Sequence, residues 1–271
     1  MKKIVLNLFV IATFALSVAF TSCNKDRDER ASKEISLNMS FTYDYNSVWF
    51  DVAGSGTMTI DWGDGTEIET HTLSPLTGNY YFYRYGDQYL HDYDGITSCT
   101  ITLRGDSITG LNCNYVKNLT ALNVNKSATL KALECFDNQL ERLDVSGCTA
   151  LIFLFCNSPQ LTSLKVKGCT ALTRLLCYET QLTDLDVSGC SELIELRCFD
   201  NQLTSLDVNG CTRLYQLNCR YNQLSADALN AIFRALRSIY GYNKGSMEIY
   251  QNPGSNGCDK SIAENKGWQV F

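Results

Sequence analysis

The sequence predicts a mainly β protein in which a solenoid of short repeats follows a small β-rich domain and is closed by an α/β cap. Leucine and cysteine recur with a period of 21 residues through the second half of the chain. Residues 35–104, before this region, alternate apolar and polar residues, as strands with one buried face do. After residue 223 the period gives way to a helical pattern. These three observations set the fold class.

The repeat region contains five blocks that start at Leu130, Leu151, Leu172, Leu193 and Leu214. Each follows L-x-x-L-x-C-x-x-[N]-Q-L-x-x-L-[D]-V-x-G-C, and the last is cut short. This is the pattern of leucine-rich repeats, which stack as coils of a solenoid. Asparagines at the turn position are expected to bond the backbone of their own and the adjoining coil.

Cysteine fills two columns of the repeat. Because a cysteine in L-x-C points the same way as the leucines, we expect it to line the core as a small apolar side chain. Metal binding is disfavoured because no C-x-x-C pair occurs. Disulfides persist outside the cytoplasm, and whether some of these cysteines form them stays open. The columns are Cys135, Cys156, Cys177, Cys198 and Cys219, and Cys148, Cys169, Cys190 and Cys211.

The N-terminus reads as an export signal. Two lysines precede an apolar run that is too short for a spanning helix and that ends at Thr21-Ser22-Cys23. This end resembles a bacterial lipobox, with Phe20 departing from the usual aliphatic residue. The resemblance implies lipidation of Cys23. The stretch "NKDRDER" that follows resembles the Lys-plus-acidic sequence that sends lipoproteins of some Gram-negative bacteria to the outer surface, which implies an outer-membrane protein exposed at the cell surface. An ordinary cleaved signal or an uncleaved anchor is the alternative.

The chain divides into a signal peptide and four further parts. The expected boundaries are 1–22 for the signal peptide, 23–34 for a charged tether, 35–104 for the β-domain, 105–223 for the repeats and 224–271 for the cap.

Three motifs in the β-domain, "WGDGT", "HDY" and "CTITL", resemble polycystic-kidney-disease-type domains. That resemblance implies a small immunoglobulin-like β-sandwich. The whole arrangement resembles a group of bacterial leucine-rich-repeat lipoproteins, which implies an exported surface protein and no reaction. The Tyr-rich stretch "NYYFYRYGDQY" departs from the domain pattern. The alternatives for it are a loop over one edge of the domain and a contact surface.

The composition argues against several classes of function. A net charge of −6 and a pI near 5.0 argue against nucleic-acid binding. His71 and His91 are the only histidines, so we expect no enzyme, no cofactor and no metal. Acid–base or calcium chemistry at Asp61, Asp64, Asp92 and Asp94 is the weaker reading, because aspartate is expected in turns. An enzyme would require Asp61, Asp64 and Asp92 to converge with His91 in a cleft.

The sheet side of the repeats is the expected binding surface. It carries aromatic residues, whereas the opposite face carries none. We expect it to bind a protein, or less readily a glycan, with the chain a monomer. The alternatives are that Phe153 or Phe155 packs against a neighbouring coil, cap or loop, and that the protein is a spacer without a dedicated ligand. The expected anchors are Phe136, Phe153, Phe155, Tyr178 and Phe199, with Arg174, Arg197 and Arg220 giving orientation.

Overall fold

The computed structural model describes residues 34–40, 47–79, 82–84, 86–124 and 127–271. The expected signal peptide, Cys23 and most of the tether lie outside these residues. None of the helices in the described residues is long and apolar enough to cross a membrane.

The N-terminal strands form an antiparallel arrangement around one long strand. The hairpin expected around Asp64-Gly65 is confirmed, with a loop over residues 62–68 between paired strands. Val48, Phe50 and Val52 alternate into the core as their pattern predicted. The strands are β1 (Glu34–Ser40), β2 (Ser47–Asp61), β3 (Glu69–Thr72), β4 (Thr77–Asn79), β5 (Phe82–Arg84), β6 (Asp87–Asp92), β7 (Ser98–Asn112) and β8 (Leu119–Asn123).

The repeats form the predicted solenoid of short parallel strands, one coil beside the next. The strands on its main side are β9 (Ala132–Glu134), β11 (Phe153–Phe155), β13 (Arg174–Leu176), β14 (Glu195–Arg197) and β15 (Gln216–Asn218). On the opposite side, β10 (Arg142–Asp144) pairs with β12 (Ser163–Lys165).

Strand β7 joins the N-terminal strands to the solenoid. It pairs antiparallel with β2 along its length and with β1 in its first half. Its last three residues pair parallel with β9, where Gly110 lies opposite Ala132. The boundary expected at residue 104 therefore lies inside one strand. In the described residues, both parts share one sheet and one hydrophobic core.

The cysteine columns line that core, as predicted. Every ladder cysteine from Cys135 to Cys219 is at most 4% exposed, and the twelve cysteines among the described residues are all free thiols. Several donate to a backbone carbonyl of the neighbouring coil, such as Cys169 Sγ to Val145 O at 3.1 Å. Burial raises the pKa of the Cys190 thiol to about 11. Cys258, which lies outside the two columns, is half-buried.

The turn column is built on asparagine, again as predicted. Asn222 Nδ2 donates to Cys198 O at 2.9 Å and to Cys219 O at 3.1 Å, thereby joining two coils. The residue before each such asparagine adopts a positive φ, for example 54° at Asp200. In the second block, Pro159 replaces the asparagine, and Ser158 before it has no positive φ. Proline disfavours helical backbone at the residue that precedes it.

Residues 224–271, expected to form a cap, prolong the solenoid. Helix α1 (Ala226–Ala235) starts at Ser225, whose Oγ accepts from Ala228 N at 3.2 Å, as expected of an N-cap. A short helix α2 (Ser261–Glu264) follows. Between and after these helices, β16 (Gly245–Glu248) and β17 (Trp268–Val270) add two parallel strands beside β15.

Candidate functional site

Three rows of side chains run along the outward side of the main parallel sheet, here called the outer face. They lie beside the central leucine of each strand and in the turn that follows. The first row is Ala132, Phe153, Arg174, Glu195, Gln216 and Ser246; the second is Glu134, Phe155, Leu176, Arg197, Asn218 and Glu248; the turn row is Phe136, Asn157, Tyr178, Phe199, Arg220 and Tyr250.

The N-terminal part of the outer face is covered. Ala132, Phe153 and Leu176 form an apolar patch that is at most 8% exposed. Leu76, from the segment between β3 and β4, packs against this patch. The expectation that Phe153 faces solvent is therefore wrong, because an N-terminal loop shields it. Residues 80, 81 and 85 of the Tyr-rich stretch lie outside the described residues.

The middle of the outer face carries a buried ion-pair cluster. Arg174 Nε lies 2.7 Å from Glu195 Oε2, and the Arg174 guanidinium lies 5.1 Å from the centre of the Phe153 ring. Arg174 is 8% exposed, so its expected accessibility to a ligand is also wrong. Arg197 contacts the other oxygen of Glu195, with its Nε 2.6 Å from Oε1. Unlike Arg174, the Arg197 side chain is 47% exposed.

The remaining expected anchors stack on one another and form an aromatic ladder along the turns. Phe136 and Phe155 have ring centres 4.4 Å apart, and Tyr178 and Phe199 are 4.4 Å apart with planes only 7° from parallel. Phe155 bridges the gap where Asn157 occupies the turn row, 5.5 Å from Tyr178. The ladder consists of Tyr115, Phe136, Phe155, Tyr178 and Phe199, and the Arg220 guanidinium continues it 4.3 Å from the Phe199 ring centre.

The C-terminal part of the outer face is open and holds a groove of about 500 Å³. Arg220 Nη1 lies 2.5 Å from Glu248 Oε2, which also accepts from Asn218 Nδ2 at 3.0 Å. Burial raises the pKa of Tyr178, so its hydroxyl stays a donor. The groove is lined by Tyr178, Glu179, Leu196, Arg197, Phe199, Gln216, Leu217, Asn218, Arg220, Ser246 and Glu248.

The structure thus brings four expected residues, Tyr178, Arg197, Phe199 and Arg220, to one groove. It leaves Phe136 and Phe155 in the ladder beyond it. Sequence reasoning missed Ser246 and Glu248, which it placed in the cap. The signal was present: Met247-x-Ile249-x-x-Asn252 has the spacing of a repeat, and Asn252 Nδ2 donates to Ile249 O at 2.7 Å as the repeat asparagines do.

The polar groups of the β-domain form separate turn contacts. Asp64 Oδ2 lies 2.7 Å from His91 Nε2, and the His91 ring stacks on Trp62 at 4.6 Å. Asp61 instead accepts from Gly63 N at 3.0 Å, and Asp92 from Ser47 Oγ at 2.5 Å. The carboxylates therefore do not all meet His91. Within the described residues, no cluster of three or more potential metal ligands occurs.

A second groove of about 480 Å³ lies on the β10–β12 side of the solenoid. Its charges alternate: Lys165 and Lys167 lie among Asp144, Asp184 and Asp186. Lys165 Nζ is 3.9 Å from Asp144 Oδ2, and both side chains are more than half exposed. Exposed pairs of this kind contribute little to stability or specificity.

No protein-family model matches the chain, and no curated protein is significantly similar to it. Nine chains of solved structures are similar. One is described as "Functional domain of InlJ from Listeria monocytogenes includes a cysteine ladder". It is 29% identical over 58% of this chain and 37% of its own length, with a TM-score of 0.37. That score is too low to support an argument, so the fold assignment rests on the strand pairing. The solenoid is leucine-rich-repeat-like.

Proposed function

We propose that this chain is a non-enzymatic binding protein that holds a protein partner on the outer face of its repeats. The observation that carries the proposal is the open groove, where Arg197, Gln216, Asn218 and Ser246 lie side by side on neighbouring strands. Four polar groups on a rigid sheet can orient hydrogen bonds and charge at little entropic cost. The ring edges of Tyr178 and Phe199 add apolar area at the margin.

The aromatic ladder favours a protein over a glycan as the partner. A sugar ring binds an aromatic side chain over its face, and here the faces of Tyr178 and Phe199 are occupied by each other. Stacked rings present their edges, which carry partial positive charge and suit carbonyl and carboxylate oxygens. A protein supplies such oxygens along its whole backbone.

The proposal includes the place of the protein. The resemblance of Thr21-Ser22-Cys23 to a lipobox supports a lipid anchor at Cys23 in the outer membrane, with the repeats exposed at the cell surface. The β-domain, which resembles a polycystic-kidney-disease-type domain, would then act as the spacer between lipid and solenoid.

The test is binding of the full-length protein, in mild detergent, to arrays of purified surface proteins and of glycans. Gln216→Arg places a long charged side chain in the groove at a position that is exposed. Ser205→Arg is the matched control, since Ser205 is exposed on the opposite side of the same coils. We expect a protein ligand whose binding is lost with Gln216→Arg and kept with Ser205→Arg.

Two outcomes would contradict the proposal. Binding that survives Gln216→Arg moves the site away from the groove. An array without any ligand, for a protein whose circular dichroism is that of a folded sheet, supports a spacer without a dedicated partner. Globomycin-sensitive processing and labelling of the cysteine by radioactive palmitate separately test the anchor at Cys23.

A further inference from the structure

Arg197, in the groove, contacts a buried glutamate through one edge of its guanidinium and exposes the other edge. Arg197 Nε lies 2.6 Å from Glu195 Oε1, and Glu195 is 2% exposed. Among the described residues, no hydrogen bond or ion pair reaches the two η nitrogens of Arg197, and the side chain is 47% exposed. This ion pair with a buried carboxylate restricts the guanidinium, so its outer edge can bind with a smaller loss of side-chain entropy than a free arginine would.

The two glutamates that line the groove, Glu179 and Glu248, have hydrogen-bond partners other than Arg197. Glu195 is the buried negative group, and it has two cationic partners, Arg174 at 2.7 Å and Arg197 at 2.6 Å. The positive charge of Arg220 is balanced by Glu248 at 2.5 Å. Glu179 also lines the groove, but it belongs to the turn three positions beyond the end of β13, where it accepts from Asn157 Nδ2 at 3.4 Å. The groove lining therefore holds two arginines and two glutamates, and Arg197 is the arginine there whose η nitrogens have no carboxylate partner among the described residues.

The neighbours of Arg197 place further polar side chains beside its guanidinium. Asn218 is paired directly with Arg197 across β14 and β15, and Gln216 is two residues before it. Ser246 follows on β16 in the row of Gln216. These side chains lie on strands about 4.8 Å apart. Gln216 and Ser246 offer donors, and Asn218 Nδ2 keeps one hydrogen besides the one that it gives to Glu248 Oε2. The edges of the Tyr178 and Phe199 rings face the same groove with their partial positive charge.

We propose that this groove binds a carboxylate, and specifically the side chain of a glutamate or aspartate in an extended segment of the partner protein. The two η nitrogens of Arg197 would hold its two oxygens in a bidentate pair. Gln216, Asn218 and Ser246 would bond the adjoining peptide groups. The inference rests on the proposed function and deepens it by naming the chemistry that the partner presents.

The test uses a short probe instead of the partner. Full-length protein labelled with ¹⁵N at arginine is titrated with acetyl-Gly-Gly-Glu-Gly-Gly-amide and with its glutamine counterpart. The Arg197 Nε–H signal is assigned by its loss in Arg197→Lys. We expect a saturable shift of this signal with the glutamate peptide, and an affinity about tenfold lower for the glutamine peptide because the charge-assisted pair is lost.

Three variants give the test its controls. Arg197→Gln should abolish binding, and Arg197→Lys, which keeps the charge beside Glu195, should weaken it because lysine lacks the planar fork. Arg213→Gln is the matched control, since Arg213 is exposed and pairs with Glu192 at 2.5 Å away from the groove. It should bind as the parent protein does. Thermal unfolding of each variant checks that it is folded, and Arg197→Lys keeps the test valid should Arg197→Gln unfold.

Two results would overturn the carboxylate site: equal affinity for the two peptides, or unchanged binding in Arg197→Lys and Arg197→Gln. An oligomer of glucuronate that binds as tightly as the glutamate peptide would overturn the assignment to a protein. These failures are distinct from failure of the proposed function. A protein ligand that is lost with Gln216→Arg would keep the groove as a binding site even without a carboxylate.

Discussion

Replacement of Asn222 by alanine should destabilise the solenoid strongly although the residue lies in a turn. Asn222 is 2% exposed, and its Nδ2 lies 2.9 Å from Cys198 O and 3.1 Å from Cys219 O. Its Oδ1 accepts from Leu203 N at 3.0 Å. Alanine removes these three hydrogen bonds, together with a longer one from Nδ2 to Arg220 O at 3.2 Å. Cys198 O and Cys219 O each keep a second asparagine donor, but the buried N–H of Leu203 is left unpaired.

The expected loss follows from those three bonds. Each is worth about 1 kcal/mol net, and an unpaired buried group adds to that cost, so we expect a loss of about 3–4 kcal/mol in the free energy of unfolding. Asn222→Asp should cost at least as much, because aspartate keeps the shape but cannot donate. Urea titration followed by far-UV circular dichroism measures both, with an unchanged slope showing that the same unfolding is compared.

The neighbouring Gln223 is the matched control. It carries the same amide, its column is glutamine in all five blocks, and it is exposed. Gln223→Ala should change the free energy of unfolding by less than about 0.5 kcal/mol. A loss below about 1 kcal/mol for Asn222→Ala, or equal losses for the two alanine variants, would refute the role assigned to the asparagine column.

Three further outcomes are expected. Leu76→Asn should uncover the apolar patch, raising the fluorescence of bound anilinonaphthalene sulfonate and lowering stability by about 1–2 kcal/mol; unchanged fluorescence would contradict the packing of this loop. Partial burial opposes ionisation of Asp64, but hydrogen bonds from Thr66 and His91 outweigh it and lower its pKa to about 2. The stability that this carboxylate contributes is therefore present above about pH 4 and lost as the pH falls towards 2, and the loss should be smaller in Asp64→Asn, as acid titration of the folded fraction can show. The Cys190 thiol has its pKa raised to about 11 by burial, so its contribution is complete below about pH 9 and is lost as the pH rises to 11. Urea midpoints at pH 8 and pH 10, measured with a reducing agent present, should fall less in Cys190→Ala than in the parent protein.

Much of the solenoid could be predicted from the sequence because the position of a residue in the repeat fixes its place in the coil. A column that returns every 21 residues must stack, so the inward direction of Cys177, the turn role of Asn201 and the left-handed turn at Gly189, with φ of 85°, all follow from position in the block. The same reasoning identified the outer face, since strand residues alternate between two sides.

The site was predicted less well because its exposure depends on parts of the chain that are distant in sequence. The block pattern predicts that Phe153, Arg174 and Arg197 all point outward. In the tertiary structure, Leu76 packs over Phe153, and Arg174 is buried against Glu195. The side chain of Arg197 stays about half exposed. Likewise, the pairing of β15 with β16 brings Glu248 to within 2.5 Å of Arg220 across 28 residues, many of them helical.

The sequence by itself determined which residues face inward and which face outward, because the 21-residue period and strand alternation act locally and repeat in every coil. The tertiary structure decided which outward residues are accessible. That outcome depends on a loop from β-strands far earlier in the chain and on a cap strand after the repeats, and neither contact is encoded in any one block.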